Sequence, residues 1–69
     1  MNAAEIRTKL TAEPFQPLII HVNDGRQFSI RHPEFVGINP DSPTVVVYLE
    51  DGGTEELDLM LISEIEVVQ

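Results

Sequence analysis

The stretch Pro17-Leu18-Ile19-Ile20-His21-Val22-Asn23-Asp24-Gly25-Arg26-Gln27-Phe28-Ser29-Ile30-Arg31 decides the fold. Its apolar positions recur at every second residue, the period of a strand buried on one face, and Asn23-Asp24-Gly25 interrupts them with a turn signal. Loop length then sets which residues meet. A two-residue loop pairs Val22 with Gln27 and Ile20 with Ser29, setting apolar against polar. A three-residue loop, with Gly25 in the left-handed region, pairs Ile20 with Phe28 and Leu18 with Ile30. That register gathers Leu18, Ile20, Val22, Phe28 and Ile30 on one face and leaves Ile19, His21, Gln27, Ser29 and Arg31 on the other. The sequence therefore predicts a hairpin with the longer loop.

The same test applies to residues 44–61, around Asp51-Gly52-Gly53. A three-residue loop with Gly53 at positive φ pairs Val47 with Leu57 and Val45 with Leu59, and sets Tyr48 against Glu56 and Val46 against Asp58 on the outer face. Between the hairpins, Pro33 cannot donate a ladder bond, so the second strand is expected to bend near His32. Phe35, Val36 and Ile38 then return to extended structure, and Asn39 to Pro43 reads as a turn. Leu61-Ile62-Ser63-Glu64 reads as a single tight turn. A last strand follows, with Ile65 and Val67 inward and Glu66 and Val68 outward.

At the other end, Asn2 is a helix cap with Glu5 three residues on, and Ala3, Ile6 and Leu10 form a narrow apolar stripe. Pro14 disfavours helical geometry at Glu13, so a helix within residues 1–13 is expected. A helix this short is marginal alone and must dock. The expected whole is one mainly β domain of 69 residues: a capping helix over 1–13, then a five- to six-stranded antiparallel bent sheet or small barrel over 17–69.

Composition narrows the function classes. A chain this size buries only about 60% of its unfolded surface and often leans on oligomerisation. With no cysteine there is neither a disulfide framework nor a thiolate metal site. Four basic residues against twelve acidic ones give −8, which argues against nucleic acid as a main partner. Arg7, Lys9, Arg26 and Arg31 all fall in residues 1–33, which carry +1, while residues 34–69 carry −9 and no cation. Met1 to Arg7 has no apolar run behind its charges, so no signal peptide is expected. The longest apolar stretch, Val45 to Leu49, is far below the roughly 20 residues of a membrane helix. A cytoplasmic protein without a membrane segment is the expectation.

The layout of a helix, a bent meander and a one-turn link before the last strand resembles the Sm-like and SH3-like small barrels. Ile62-Ser63-Glu64-Ile65 resembles the segment leading into the last strand of bacterial Hfq-type Sm proteins. In that family the last two strands mediate ring assembly, and a Lys-His pair before this segment helps line a uridine pocket. Leu59 and Met60 stand at the matching positions, so the resemblance implies the layout without the RNA pocket. Glu13-Pro14-Phe15-Gln16-Pro17, Asp24-Gly25-Arg26 and His32-Pro33-Glu34-Phe35 also resemble a set of short, functionally uncharacterised bacterial proteins with the same helix, PFxP, DGR and HPEF pattern. No activity is assigned to that set.

Candidate chemistry is sparse. His21 and His32 are the two imidazoles, and zinc needs three or four ligands, with only Glu34 near His32 in sequence. Glu55, Glu56 and Asp58 read as a solvated strand face, since a small barrel offers little cleft for paired carboxylates and the loop lacks calcium-ligand spacing. No phosphate loop or nucleophile elbow is present, so no enzyme and no cofactor is expected. Phe28, inward in the chosen register, is no stacking platform for single-stranded nucleic acid. Arg26 and Arg31 are expected to pair with acids of the same or a neighbouring subunit.

Ile19, Val46, Tyr48, Met60 and Val68 are apolar side chains on faces that a monomer wets. They point to a non-catalytic homo-oligomeric interaction module, with Ile65 and Val67 on the joining strand and Arg26 and Arg31 meeting acids across the joint. Phe15, His32, Glu34 and Phe35 form the expected surface for another protein partner. Two alternatives stand beside this reading: an Sm-like RNA-binding regulator, and an acidic partner or accessory subunit of a basic protein.

Overall fold

A computed structural model describes residues 1–68 of the chain. Helix α1 spans Ala3–Leu10, and the Asn2 side chain accepts the Glu5 backbone N–H at 2.9 Å, which caps it. The helix ends short of Glu13. Both the backbone N–H and the hydroxyl of Thr11 donate to the Arg7 carbonyl, at 3.0 and 2.8 Å, and close the last turn there. Six strands follow: β1 (Leu18–Val22), β2 (Gln27–Ile30), β3 (Val36–Ile38), β4 (Thr44–Tyr48), β5 (Thr54–Asp58) and β6 (Ile62–Val67). Among the described residues no helix is long and apolar enough to cross a membrane.

All strand pairs are antiparallel, but the strands form two sheets of three rather than one bent sheet or a closed barrel. One sheet has the order β2-β1-β6 and the other β3-β4-β5. The chain changes sheet twice, each time through one 3-10 turn. Pro33–Phe35 carries it from β2 to β3, the bend expected of Pro33. Leu59–Leu61 carries it from β5 to β6, two residues ahead of the turn read at Leu61 to Glu64. The Asp58 carboxylate accepts the Met60 N–H at 2.9 Å and starts that turn early, which frees Ile62 to enter β6 as a buried residue.

The first hairpin adopts the predicted register, Ile20 opposite Phe28 and Leu18 opposite Ile30, with Gly25 at φ 95°. The second differs. Val45 faces Leu57 and Val47 faces Glu55, so the loop is Glu50-Asp51-Gly52 and Gly52 takes the positive φ, 93°. Tyr48 meets Thr54 and Val46 meets Glu56. The cause is local: with Asp51 in the middle of the loop, its carboxylate accepts the Gly53 N–H at 2.8 Å. Asp24 holds the Arg26 N–H in the same way at 3.1 Å.

One core unites helix and sheets: Ile6, Leu18, Ile20, Val22, Ile30, Val36, Val45, Val47, Leu57, Leu59 and Ile62 are all buried. Each such side chain stabilises by about 1.5–3 kcal/mol through removal from water. Ile6 alone anchors the helix, with Ala3 and Leu10 packed beside it. Among the described residues no polar or charged residue is buried.

Candidate functional site

The register of the second hairpin determines what β5 offers to its surroundings. Bonded pairs in an antiparallel ladder alternate with non-bonded ones. The Leu49 N–H donates to Gly53 at 2.8 Å, and the Leu59 N–H donates to Pro43 at 2.8 Å. Bonded positions therefore fall at Leu49/Gly53, Val47/Glu55, Val45/Leu57 and Pro43/Leu59. The backbone N–H and C=O groups of Thr54, Glu56 and Asp58 point the other way, off the free edge of the sheet. The side chains of these three residues are exposed.

Beside that edge lies a cleft of about 320 Å³, lined by Glu56, Leu57 and Asp58 on one side and by Val22, Arg26 and Leu61 on the other. The 3-10 turn at its end is held in place from both flanks. Asn23 donates to the Leu61 carbonyl at 2.8 Å, and Leu59 donates to Pro43. Met60 is 77% exposed and Leu61 49%, the most open apolar side chains of the site.

The charges are unevenly satisfied. Arg26 bonds Asp24 at 2.8 Å and lies 3.7 Å from Glu55. Arg31 lies 3.9 Å from Glu50. The two arginines thus face acids of their own chain, while no ion pair reaches Glu56, Asp58 or Glu64 among the described residues. Asp24 is held below the usual carboxylate range, chiefly by the Arg26 backbone N–H it accepts and further by that guanidinium.

Of the two outer strands of the other sheet, β2 and β6, the second has helix residues near it. Met1, Glu5 and Lys9 share a depression with Ser63, Glu64 and Ile65, which brings side chains of α1 near β6. Beside β5 stand Val22, Arg26 and Leu61, across the cleft from Leu57.

Of the residues singled out from sequence, Arg31, Phe35 and Tyr48 line one depression together with Phe28 and Glu50. Ile19, Arg31 and Val68 line a shallow depression with Pro17 and Ser29 on the first sheet. Val46 and Tyr48 lie on β4, where the Tyr48 ring stands over Gly37. Met60 sits on the turn, and Ile65 and Val67 are half-buried against the core. Phe15 and Phe35 also pack against the core, leaving His32 and Glu34 outward, with the His32 ring 5.8 Å from that of Phe35. Phe28 is half-buried at its sheet's edge under the Arg26 guanidinium, 5.8 Å away.

His21 bonds Glu66 at 2.9 Å across the β1–β6 pair. Among the described residues no three His, Cys, Asp or Glu side chains are placed to hold a metal ion. Leu61, Thr54 and the outward backbone of β5 went unread in the sequence; only the Asp-Gly turn signal could have located them. No family model matches the chain, and neither a curated protein nor a solved structure does.

Proposed function

We propose that the chain is a non-catalytic, cytoplasmic interaction module that takes on strands at open sheet edges. The observation that carries this is β5, an outer strand with no strand paired to its far side among the described residues, ending at a turn whose Met60 and Leu61 are exposed. Unpaired edges invite other chains, and strand addition is one recognised way in which proteins use them. Two sheets joined twice by single turns also support an Sm-like or SH3-like layout.

Self-assembly is the first form of this reading, with copies meeting at Met60, Val46, Tyr48, Val68 and the β5 and β6 edges. Its weakness is electrostatic. Glu55, Glu56 and Asp58 on β5 would face Glu64 and Glu66 on a neighbour's β6, and like charges across strands destabilise pairing. Association between copies therefore strengthens as salt screens that repulsion. The RNA-binding reading has no such observation behind it, since Arg26 and Arg31 already face Glu55 and Glu50.

Size-exclusion chromatography with light scattering, at low and high salt, tests self-assembly. A defined oligomer that grows with salt supports it, and a monomer at every salt and concentration ends it. Hydrogen exchange tests the edge itself. Fast exchange at Thr54, Glu56 and Asp58 beside slow exchange at Glu55 and Leu57 marks an open strand, and uniform protection in a monomer refutes it.

A further inference from the structure

The open edge has two unlike sides, and together they specify an occupant. We infer that β5 accepts, by strand addition, an extended segment of another protein in which basic residues alternate with apolar ones. The inference rests on the open-edge reading above and names the partner. Backbone groups of Thr54, Glu56 and Asp58 supply the ladder, with their spacing fixed by the bonds at Leu49 and Leu59.

Side chains of an added strand alternate between the two faces of the sheet. On the outer face they meet Glu56 and Asp58, both exposed and neither in an ion pair among the described residues. On the inner face they enter the cleft, where Leu57, Val22 and Leu61 stand beside Arg26 and Thr44 and the edge acids Glu56 and Asp58 form the rim. Lysine or arginine suits the first environment, and valine, isoleucine or leucine the second. Glu55 and Arg26 close one end of the cleft with their own 3.7 Å pair, so the run of apolar positions stops there.

A second copy of this chain fits the edge less well. Its β6 carries Glu64 and Glu66, and the two arginines that flank its β2, Arg26 and Arg31, already face acids of their own chain. Its remaining cations, Arg7 and Lys9, lie on α1 and not on a strand, so a basic strand for this edge comes from another protein.

The test uses the full chain and a nine-residue peptide of alternating lysine and valine. Expected are slowed hydrogen exchange at the Thr54, Glu56 and Asp58 amides, and binding weakened at least about tenfold in the exposed double variant E56K/D58K. A peptide N-methylated at alternate residues, unable to donate to the edge, should bind about tenfold more weakly. Equal binding of the methylated peptide, or binding without protection of those three amides, means charge attraction alone and overturns the inference. Protection of the same amides without peptide, in a species of oligomer mass, means a second copy holds the edge; this overturns the inference while the open-edge reading stands. A monomer that binds no peptide while those amides exchange fast overturns the partner assignment alone. A monomer in which they are protected removes both.

Discussion

The two hairpins are built on one plan and differ in how much they disclose. Each closes with a three-residue loop, Asn23-Asp24-Gly25 in one and Glu50-Asp51-Gly52 in the other. In each an aspartate at the middle position accepts the N–H two residues on, and a glycine at the third takes a φ near +95°. The first offers a single glycine and hence a single solution. The second offers Gly52 and Gly53, and the apolar pairing Val47 with Leu57 favours the wrong one. The aspartate settles it, because a carboxylate immediately before the glycine stabilises the turn by bonding ahead. A slip of this kind leaves every side chain on its own face, yet it exchanges which backbone groups turn toward the free edge. What is lost is the site, not the core.

The largest expected effect tests whether the hairpins are one unit. Ile20→Ala in the first and Leu57→Ala in the second should each cost about 2–5 kcal/mol, a large share of the stability of so small a domain. Urea unfolding should remain a single transition in both variants. Separate transitions for the two sheets would break the picture of one shared core. Next comes the turn itself. Gly25→Ala and Gly52→Ala should each cost about 1–2 kcal/mol, since L side chains disfavour positive φ. Gly53→Ala should cost less than either, because Gly53 is not at positive φ and its added methyl meets side-chain atoms alone, Asp51 at 3.2 Å and Leu49 at 3.6 Å. A reversed order for Gly52 and Gly53 would restore the register read from sequence.

A smaller effect separates the loops by acidity. Asp24 titrates below the usual value of about 3.9. Its folded-state pKa is depressed, so its stabilising contribution is complete above that value and is lost as pH falls through the lower folded pKa. Asp24→Asn should therefore narrow the stability gap between neutral and strongly acid pH, and carboxyl NMR should place the Asp24 midpoint low. A midpoint at or above the ordinary value would contradict the bond to Arg26. The smallest effect belongs to Arg31→Ala. Its pair with Glu50, 3.9 Å long and 74% exposed on both sides, should contribute at most about 0.5 kcal/mol.

Much of the fold was legible because its signals are local. Asn2 with Glu5 fixes where the helix starts, and Pro33 fixes where the second strand bends. The helix end was not legible, since Pro14 marks only an outer limit and the Thr11 hydroxyl acts first. Division into two sheets was hidden for another reason. Alternation tells a residue which face it takes, but not which strand lies on the far side of its own. The site suffered most from this. Glu56 and Asp58 look like any solvated acids until the strand they sit on is found to have no strand paired to its far side among the described residues.

Tyr48 stands over Gly37 and opposite Thr54, 47% exposed, and the chain has no tryptophan to outshine it. The protein is thereby its own fluorimeter. A single phenol, one strand away from the open edge, reports in its emission and quenching whatever comes to rest there, with no label attached.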